Sequence, residues 1–163
     1  MAVIATRSGG GVLARITSKC TGKNKLPLTW IDYIQLDHES VTELEQWLMS
    51  LPELVRESFE GQIEALRDLA AKGEIGPLDE TKLKPVVRHP ELFELRWRFR
   101  HRKKKTNVRQ YHGEPSRLPD SLVATHRHIK RLEGSEAEIE TWQNEEMAFA
   151  KLRFRSGEKS DWR

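Results

Sequence analysis

Residues 92–100 constrain the fold of this chain more strongly than any other segment. From Phe93 on, apolar and charged residues alternate along it, which is the pattern of a β-strand with one buried face. The apolar face is Phe93, Leu95, Trp97 and Phe99, and the polar face is Glu94, Arg96, Arg98 and Arg100.

The residues that follow predict two further strands, so the sheet is built from consecutive segments. Residues 107–112 read as the next strand after a loop over 101–106, which makes a hairpin with residues 92–100. Residues 121–130 form a third strand after a second loop. Residues 30–36, rich in aromatic and β-branched side chains, favour an earlier strand.

Helical spacing of apolar residues predicts two helices before these strands and one after them. The first covers residues 40–50, where Ser40 and Glu43 have the spacing of a capping box, and the second runs from Pro52 to about residue 72. Gly73 is a candidate C-cap. A second capping box, Ser135 with Glu138, opens the last helix.

The order of these elements predicts an α+β fold, in which a helical hairpin is followed by a small antiparallel sheet and a C-terminal helix. We expect the helices to cover one face of the sheet and the arginines to lie on the other. Residues 1–29, with three consecutive glycines, read as a flexible extension, residues 30–155 as the folded domain, and residues 156–163 as a frayed tail.

Charge is concentrated in the middle of the chain. The whole chain has a net charge of +3, but residues 82–131 hold 15 Lys and Arg against four acidic residues, and five of the six histidines. Such a block attracts an anionic partner, although a merely solvated basic face is the competing interpretation. Arginine matches phosphate geometry, and tyrosine and histidine can stack on bases, so the pattern favours RNA or another phosphate ligand.

Cysteine and hydropathy patterns exclude several other classes. The single cysteine, Cys20, cannot form an intrachain disulfide, and no apolar run has the length of a membrane span. No Cys and His pair has zinc-ligand spacing, and there is no glycine-rich phosphate loop. We therefore expect a cytoplasmic protein without metal, cofactor or membrane partner.

Strand parity limits which residues can share a site. Tyr111 has the parity of Arg109, whereas His112 has the parity of Gln110, so the two pairs face opposite sides of a regular strand. One pair faces the core unless a bulge intervenes.

Two strand segments resemble a known family of toxins. Residues 92–96 resemble a strand of RelE/HigB-like proteins, especially the phage-derived HigB-type branch, and residues 123–131 are similar to a second strand of that branch. His126 falls on its motif histidine, and Lys130 and Arg131 fall on its paired lysines. Glu138-Ile139 and Lys82 resemble further positions, so the resemblance covers about residues 30–155.

The resemblance implies the toxin of a type II toxin–antitoxin system. Such a toxin has a RelE-like fold, docks on the ribosome and cleaves translated mRNA as a metal-independent endoribonuclease, and a cognate helix-turn-helix antitoxin neutralises it. The alternative is a protein without nuclease activity, either a gyrase-poisoning toxin of the ParE branch or a phage accessory protein that binds nucleic acid.

Metal-free RNA cleavage requires proton transfer and positive charge at the scissile phosphate. Proton transfer would fall to His126 or His112, with Tyr111 stacking on a base or sharing the proton transfer. The phosphate would be stabilised by Arg96, Arg98 and Arg109. The residues expected to hold RNA or the ribosome are Arg100, Arg102, Lys103, Lys104, Lys105, Lys130 and Arg131.

Overall fold

The computed structural model describes residues 3–8 and 11–163, and in this part of the chain it contains two sheets and three α-helices. Met1, Ala2, Gly9 and Gly10, which belong to the expected N-terminal extension, lie outside the described residues. The strands are β1 (Val3–Ser8), β2 (Gly11–Ile16), β3 (Thr29–Asp32), β4 (Leu83–Pro85), β5 (Leu92–His101), β6 (Lys104–Gly113) and β7 (Ser121–Lys130). The helices are α1 (Glu39–Ser50), α2 (Glu53–Lys72) and α3 (Glu136–Ser160).

The main sheet has five strands in the order β3-β7-β6-β5-β4, and β1 pairs with β2 in a separate two-stranded sheet. Strands β4 to β7 are antiparallel, whereas β3 runs parallel to β7. The α+β prediction is confirmed, but the prediction of a purely antiparallel sheet is wrong. A parallel pair needs a long connection, and the helical hairpin with three strands between β3 and β7 supplies one.

Helices α1 and α2 cover one face of this sheet. The hydrophobic core between them contains Leu44, Phe59 and Ile63 from the helices and Leu95 and Trp97 from β5. The apolar face of β5 is therefore the buried face, as the alternation in the sequence predicts. Arg98 and Arg100 are exposed on the opposite face.

The ends of the helices agree only in part with the sequence signals. Gly73 ends α2 in the left-handed region at φ +70°, as predicted. The capping box predicted from Ser40 is wrong, because α1 begins one residue earlier and His38 caps it. The Nδ1 atom of His38 accepts a hydrogen bond from Ser40 N at 3.1 Å, and this leaves the Ser40 hydroxyl free to contact α3.

Helix α3 packs against the opposite face of the sheet, over β6 and β7. Its Ala150 and Phe154 form a second apolar cluster with Leu92 and Tyr111. The expectation that all helices cover one face is therefore wrong. Gly113 makes the close approach possible, because a Cβ atom there would lie 2.0 Å from the Phe154 ring.

The C-terminal residues also belong to the packed structure. Helix α3 continues through Ser160, and the ring of Trp162 lies 5.3 Å from that of Phe154 and 5.6 Å from that of Tyr33. Residues 156–163 are therefore not the frayed tail expected from the sequence, because an aromatic side chain near the end of the chain fastens them to the domain.

Strands β5 and β6 pair without interruption from Leu92 opposite Gly113 to His101 opposite Lys104. The loop expected over residues 101–106 is thus a turn of two residues. Arg102 and Lys103 both have positive φ, at 49° and 64°. Two such residues match the twist of the strands they join, which is why the turn can be this short.

Residues 18–28, expected to belong to the flexible extension, are attached to the end of α2. Lys23 N donates to Gly73 O at 2.9 Å, and Leu28 N donates to Ala71 O at 2.9 Å. Cys20 lies in a short 3-10 turn and is fully buried in the main core. Among the described residues no helix has both the length and the apolar character needed to cross a membrane.

Candidate nucleic-acid interface

The register of β6 and β7 decides which of the predicted site residues lie together. Tyr111 pairs with His126 and His112 pairs with Ala124, so a β-bulge interrupts the ladder between them. Tyr111 faces α3, whereas His112 faces the α1–α2 side, where its ring meets the edge of Trp30 at 5.2 Å. The predicted grouping of His112 with the other catalytic residues is wrong, because strand parity places it on the opposite face.

The part of the sheet beyond α3 forms a basic surface. Directly opposed residues on neighbouring strands share a face. Arg96 pairs with Arg109, and Arg100 pairs with Lys105. The same face continues to Lys84 on β4 and to Lys130 on β7. We call this set the basic surface, and its members are Lys84, Arg96, Arg98, Arg100, Lys105 and Lys130.

One buried carboxylate lies beneath this surface. The Oε1 atom of Glu94 is 3.1 Å from Arg96 Nε and 3.3 Å from Arg109 Nε. Arg109 is fully buried and also donates through Nη1 to Val108 O at 3.0 Å. Burial lowers the pKa of Arg109 to about 10, although the charge of Glu94 opposes this effect.

The charges on the basic surface repel one another. Burial lowers the pKa of Lys130, and the charges of Arg109 and Arg96 lower it further, while Glu94 opposes them. Of the six cations of the basic surface, Arg96 contacts Glu94, and the charge of Glu94 also acts on Lys130. A bound polyanion would relieve this repulsion.

The hairpin turn extends the positive charge beyond the sheet. Arg102, Lys103 and Lys104 are all exposed at the tip of the β5–β6 hairpin. Arg131 is also exposed, but its guanidinium lies 4.6 Å above the ring of Trp142 on α3. These residues can contact a ligand that reaches past the edges of the sheet.

The remaining predicted catalytic residues lie beneath α3. Tyr111 OH is 3.0 Å from His128 Nε2, and His128 Nδ1 is 3.0 Å from Ile129 O. His128 Nδ1 therefore donates to that carbonyl, and its Nε2 accepts from Tyr111. Burial lowers the pKa of His128 to about 4 and raises that of Tyr111 well above its ordinary range, so both are neutral at pH 7.

A carboxylate on α3 completes this group. Glu146 contacts His126 Nε2 and accepts a hydrogen bond from Ser40 Oγ at 2.5 Å. Burial raises the pKa of Glu146, but the hydrogen bond with His126, the charge of His128 and the Ser40 hydrogen bond outweigh burial and lower it to about 2. We call Tyr111, His126, His128 and Glu146 the buried histidine cluster.

The three ring side chains of this cluster are closed to solvent. Tyr111 and His126 have 0% exposure and His128 has 2%. These side chains share a sheet face with the arginines, but α3 covers them. In this conformation an RNA chain can reach the basic surface and not the buried histidine cluster.

Glu94, Glu146 and His38 were not among the predicted site residues. The ring of His38 lies 4.8 Å from that of His126 and 4.0 Å from that of Phe149. Glu94 was visible as the one acidic residue among the arginines of its strand, which could have marked it as their partner. No local signal distinguishes Glu146 from Glu145 in the sequence.

A separate group of metal-ligand residue types lies on the α1–α2 side of the sheet. One donor atom from each of Cys20, His112 and Glu114 lies within 4.8 Å of the other two. His112 Nε2 is 3.5 Å from Cys20 Sγ. Burial lowers the pKa of His112 to about 3, and the charge of Arg67 adds to this effect. Burial also raises the pKa of the Cys20 thiol.

Comparison of the chain with protein-family models, curated proteins and solved structures finds no match.

Proposed function

We propose that this protein binds RNA through the basic surface and the adjoining hairpin turn. One observation carries the proposal: six cations lie on the uncovered part of one sheet face, with Glu94 as the carboxylate among them. Phosphate contacts supply most of the affinity in sequence-independent nucleic-acid binding. The pairing of β5 with β6 sets the positions of four of these cations, Arg96, Arg98, Arg100 and Lys105.

The salt dependence of binding to a single-stranded RNA oligonucleotide tests this proposal. The variant Arg100→Gln with Lys105→Gln removes a directly opposed pair from the basic surface. It should weaken binding and reduce the slope of log K against log salt by about 1.4, because each phosphate contact contributes about 0.7. The matched control is Arg155→Gln with Lys72→Gln, which removes one exposed arginine and one exposed lysine elsewhere.

Two results would overturn the proposal. Equal losses of affinity in the two double variants would mean that net charge alone attracts the RNA. Binding that does not respond to salt would mean that phosphates are not the contacts. Circular dichroism of both variants excludes unfolding as the cause of any loss.

A second candidate is the cleavage of translated mRNA by a RelE/HigB-type toxin with a cognate antitoxin. It is favoured by the positions of Arg96, Arg109, Tyr111 and His126, the residues expected to carry out metal-free cleavage, on one sheet face. A helical hairpin, a sheet and a C-terminal helix in this order also support it. Because α3 covers two of these residues, Tyr111 and His126, cleavage requires that α3 move away from the sheet.

Primer extension on an mRNA in a cell-free translation reaction tests the second candidate. Tyr111→Phe removes only the hydroxyl that contacts His128. It should reduce cleavage by about 10²-fold or more if Tyr111 transfers a proton. Ser50→Ala, which removes an exposed hydroxyl at the end of α1, is the control and should leave cleavage unchanged. RNA binding without new 5′ ends would refute cleavage and leave the first proposal intact.

A further inference from the structure

Three side chains that are distant in sequence meet at the end of β6. Cys20 lies in the 3-10 turn that follows β2, whereas His112 and Glu114 are at the end of β6, and Cys20 and His112 are 92 residues apart. Cys20 and His112 are fully buried, and Glu114 is half-buried. Their donor atoms lie within 4.8 Å of one another.

We propose that Cys20 Sγ, His112 Nε2 and a carboxylate oxygen of Glu114 bind one zinc ion, with a fourth position left for water or another small ligand. The separation of the sulfur and nitrogen donors matches tetrahedral coordination. Zinc bonds of about 2.3 Å to sulfur and 2.0–2.1 Å to nitrogen, at a tetrahedral angle, place the two donor atoms about 3.6 Å apart. The distance from Cys20 Sγ to His112 Nε2 is 3.5 Å.

The chemistry of the donors selects zinc over the hard cations. Thiolate and imidazole suit zinc, whereas magnesium and calcium take oxygen ligands. A thiolate and a carboxylate together neutralise a divalent ion, so the occupied site has no net charge in a largely buried place. Binding releases the thiol proton of Cys20 to solvent.

The surroundings hold two of the three ligands in position. Glu114 Oε1 accepts from Ser18 Oγ at 2.9 Å and from Lys19 N at 2.5 Å, which fixes the carboxylate beside Cys20. The His112 ring is stacked against Phe93 at 5.7 Å and meets the edge of Trp30 at 5.2 Å. Among the described residues His112 Nδ1 has no hydrogen-bond partner, so packing orients the ring.

The site is independent of the proposed RNA binding, since it lies on the other face of the sheet from the basic surface. An ion held there would join the segment before β3 to the end of β6. It would therefore stabilise the attachment of residues 18–28 to the domain, which is otherwise made by hydrogen bonds to α2 and to Glu114.

The test is titration of the chelator-stripped full-length protein with Co²⁺, followed by displacement with Zn²⁺. Because Cys20 is the single cysteine, a thiolate-to-cobalt charge-transfer band can arise only from this site. We expect the band to saturate at one equivalent of Co²⁺ and to disappear when Zn²⁺ is added. A folded wild-type protein that gives no band with Co²⁺ overturns the proposal, whatever the variants do.

Variants identify the ligands. Cys20→Ser should abolish the band, and Glu114→Gln should weaken metal affinity while keeping an acceptor for Ser18 and Lys19. Ser18→Ala should weaken affinity by about 10-fold, because it releases the carboxylate from its supporting hydrogen bond. His101→Gln, at the hairpin, is the histidine control and should change nothing. A Cys20→Ser protein that binds Zn²⁺ as tightly as wild type would assign the metal to other residues and overturn the proposal.

Discussion

Glu146 is expected to fasten α3 to the rest of the domain through its charge, and Glu146→Gln tests this role. The substitution keeps the shape of the side chain and removes its charge. The pKa of Glu146 is lowered from 4.5 to about 2, mainly by the hydrogen bond with His126, the charge of His128 and the hydrogen bond from Ser40, all acting against burial. That difference corresponds to about 3 kcal/mol at most, and the part due to the charge of His128 is absent at pH 7, where His128 is neutral. The side chain retains 21% exposure, and solvent screening reduces the expected loss to about 1–2 kcal/mol.

The sign of the effect determines its pH dependence. Because the pKa of Glu146 is lower in the folded protein, its contribution is complete at neutral pH and is lost as the pH falls from about 5 towards 2. Urea unfolding followed by circular dichroism should therefore show a clear difference between wild type and Glu146→Gln at pH 7. The difference should be smaller at pH 3, where the wild-type protein has lost part of the same contribution.

The neighbouring residue gives a matched control. Glu145 is exposed, so Glu145→Gln should change the free energy of unfolding by less than about 0.5 kcal/mol at either pH. Hydrogen exchange of α3 adds a local measurement, since a weaker attachment should increase exchange there more than in β5. Equal effects of the two glutamine substitutions, or a difference that does not change with pH, would refute the role assigned to Glu146.

Two further predictions concern backbone geometry. Gly113→Ala should destabilise the protein by about 1–3 kcal/mol, because the new Cβ atom would lie 2.0 Å from the Phe154 ring. Gly61→Ala should stabilise α2 by about 0.5–1 kcal/mol, because no atom lies within 4 Å of the new Cβ atom. Thermal unfolding measures both, and equal effects of the two substitutions would contradict this explanation. The double substitution Arg102→Asn with Lys103→Gly places residues that favour positive φ in the hairpin turn. It should raise the free energy of unfolding in urea by up to about 1 kcal/mol. A loss of stability would show that the present residues do not strain the turn.

The sequence predicted best the elements in which periodicity and end signals agree. The bounds of β7 match the predicted segment, and β5 begins where the alternation begins. In α2 the apolar stripe stops just before Gly73, whose left-handed backbone ends the helix, so the two signals agree on the C-terminal end. Each of these signals is local, so the neighbouring elements are not needed to interpret it.

The position of α3 could not be predicted in the same way. This helix packs on the sheet partly through polar residues, including Glu146, while Leu152 in the same helix is 64% exposed. Hydrophobic periodicity therefore does not mark the face that meets the sheet. Parity could separate Tyr111 from His112, but it could not show which of them faced the α1–α2 core, because both sides of β6 are buried.

The sequence does not predict the candidate zinc site for a related reason. Zinc motifs in sequences are recognised by short spacings between Cys and His, and here Cys20 and His112 are 92 residues apart. The two meet because residues 18–28 follow the end of α2 and approach the end of β6. Only the tertiary structure contains this information.

One sheet face holds two groups of polar residues with different prospects for binding. Beneath α3, Tyr111, His128 and Glu146 already have hydrogen-bond partners within the protein, so a ligand would have to replace these contacts. Beyond α3, the charge of Arg96 acts against that of Lys130, so a phosphate chain would add attraction there. This difference is why RNA binding is assigned to the basic surface, while any chemistry by the buried histidine cluster must first overcome the attachment of α3 at Glu146.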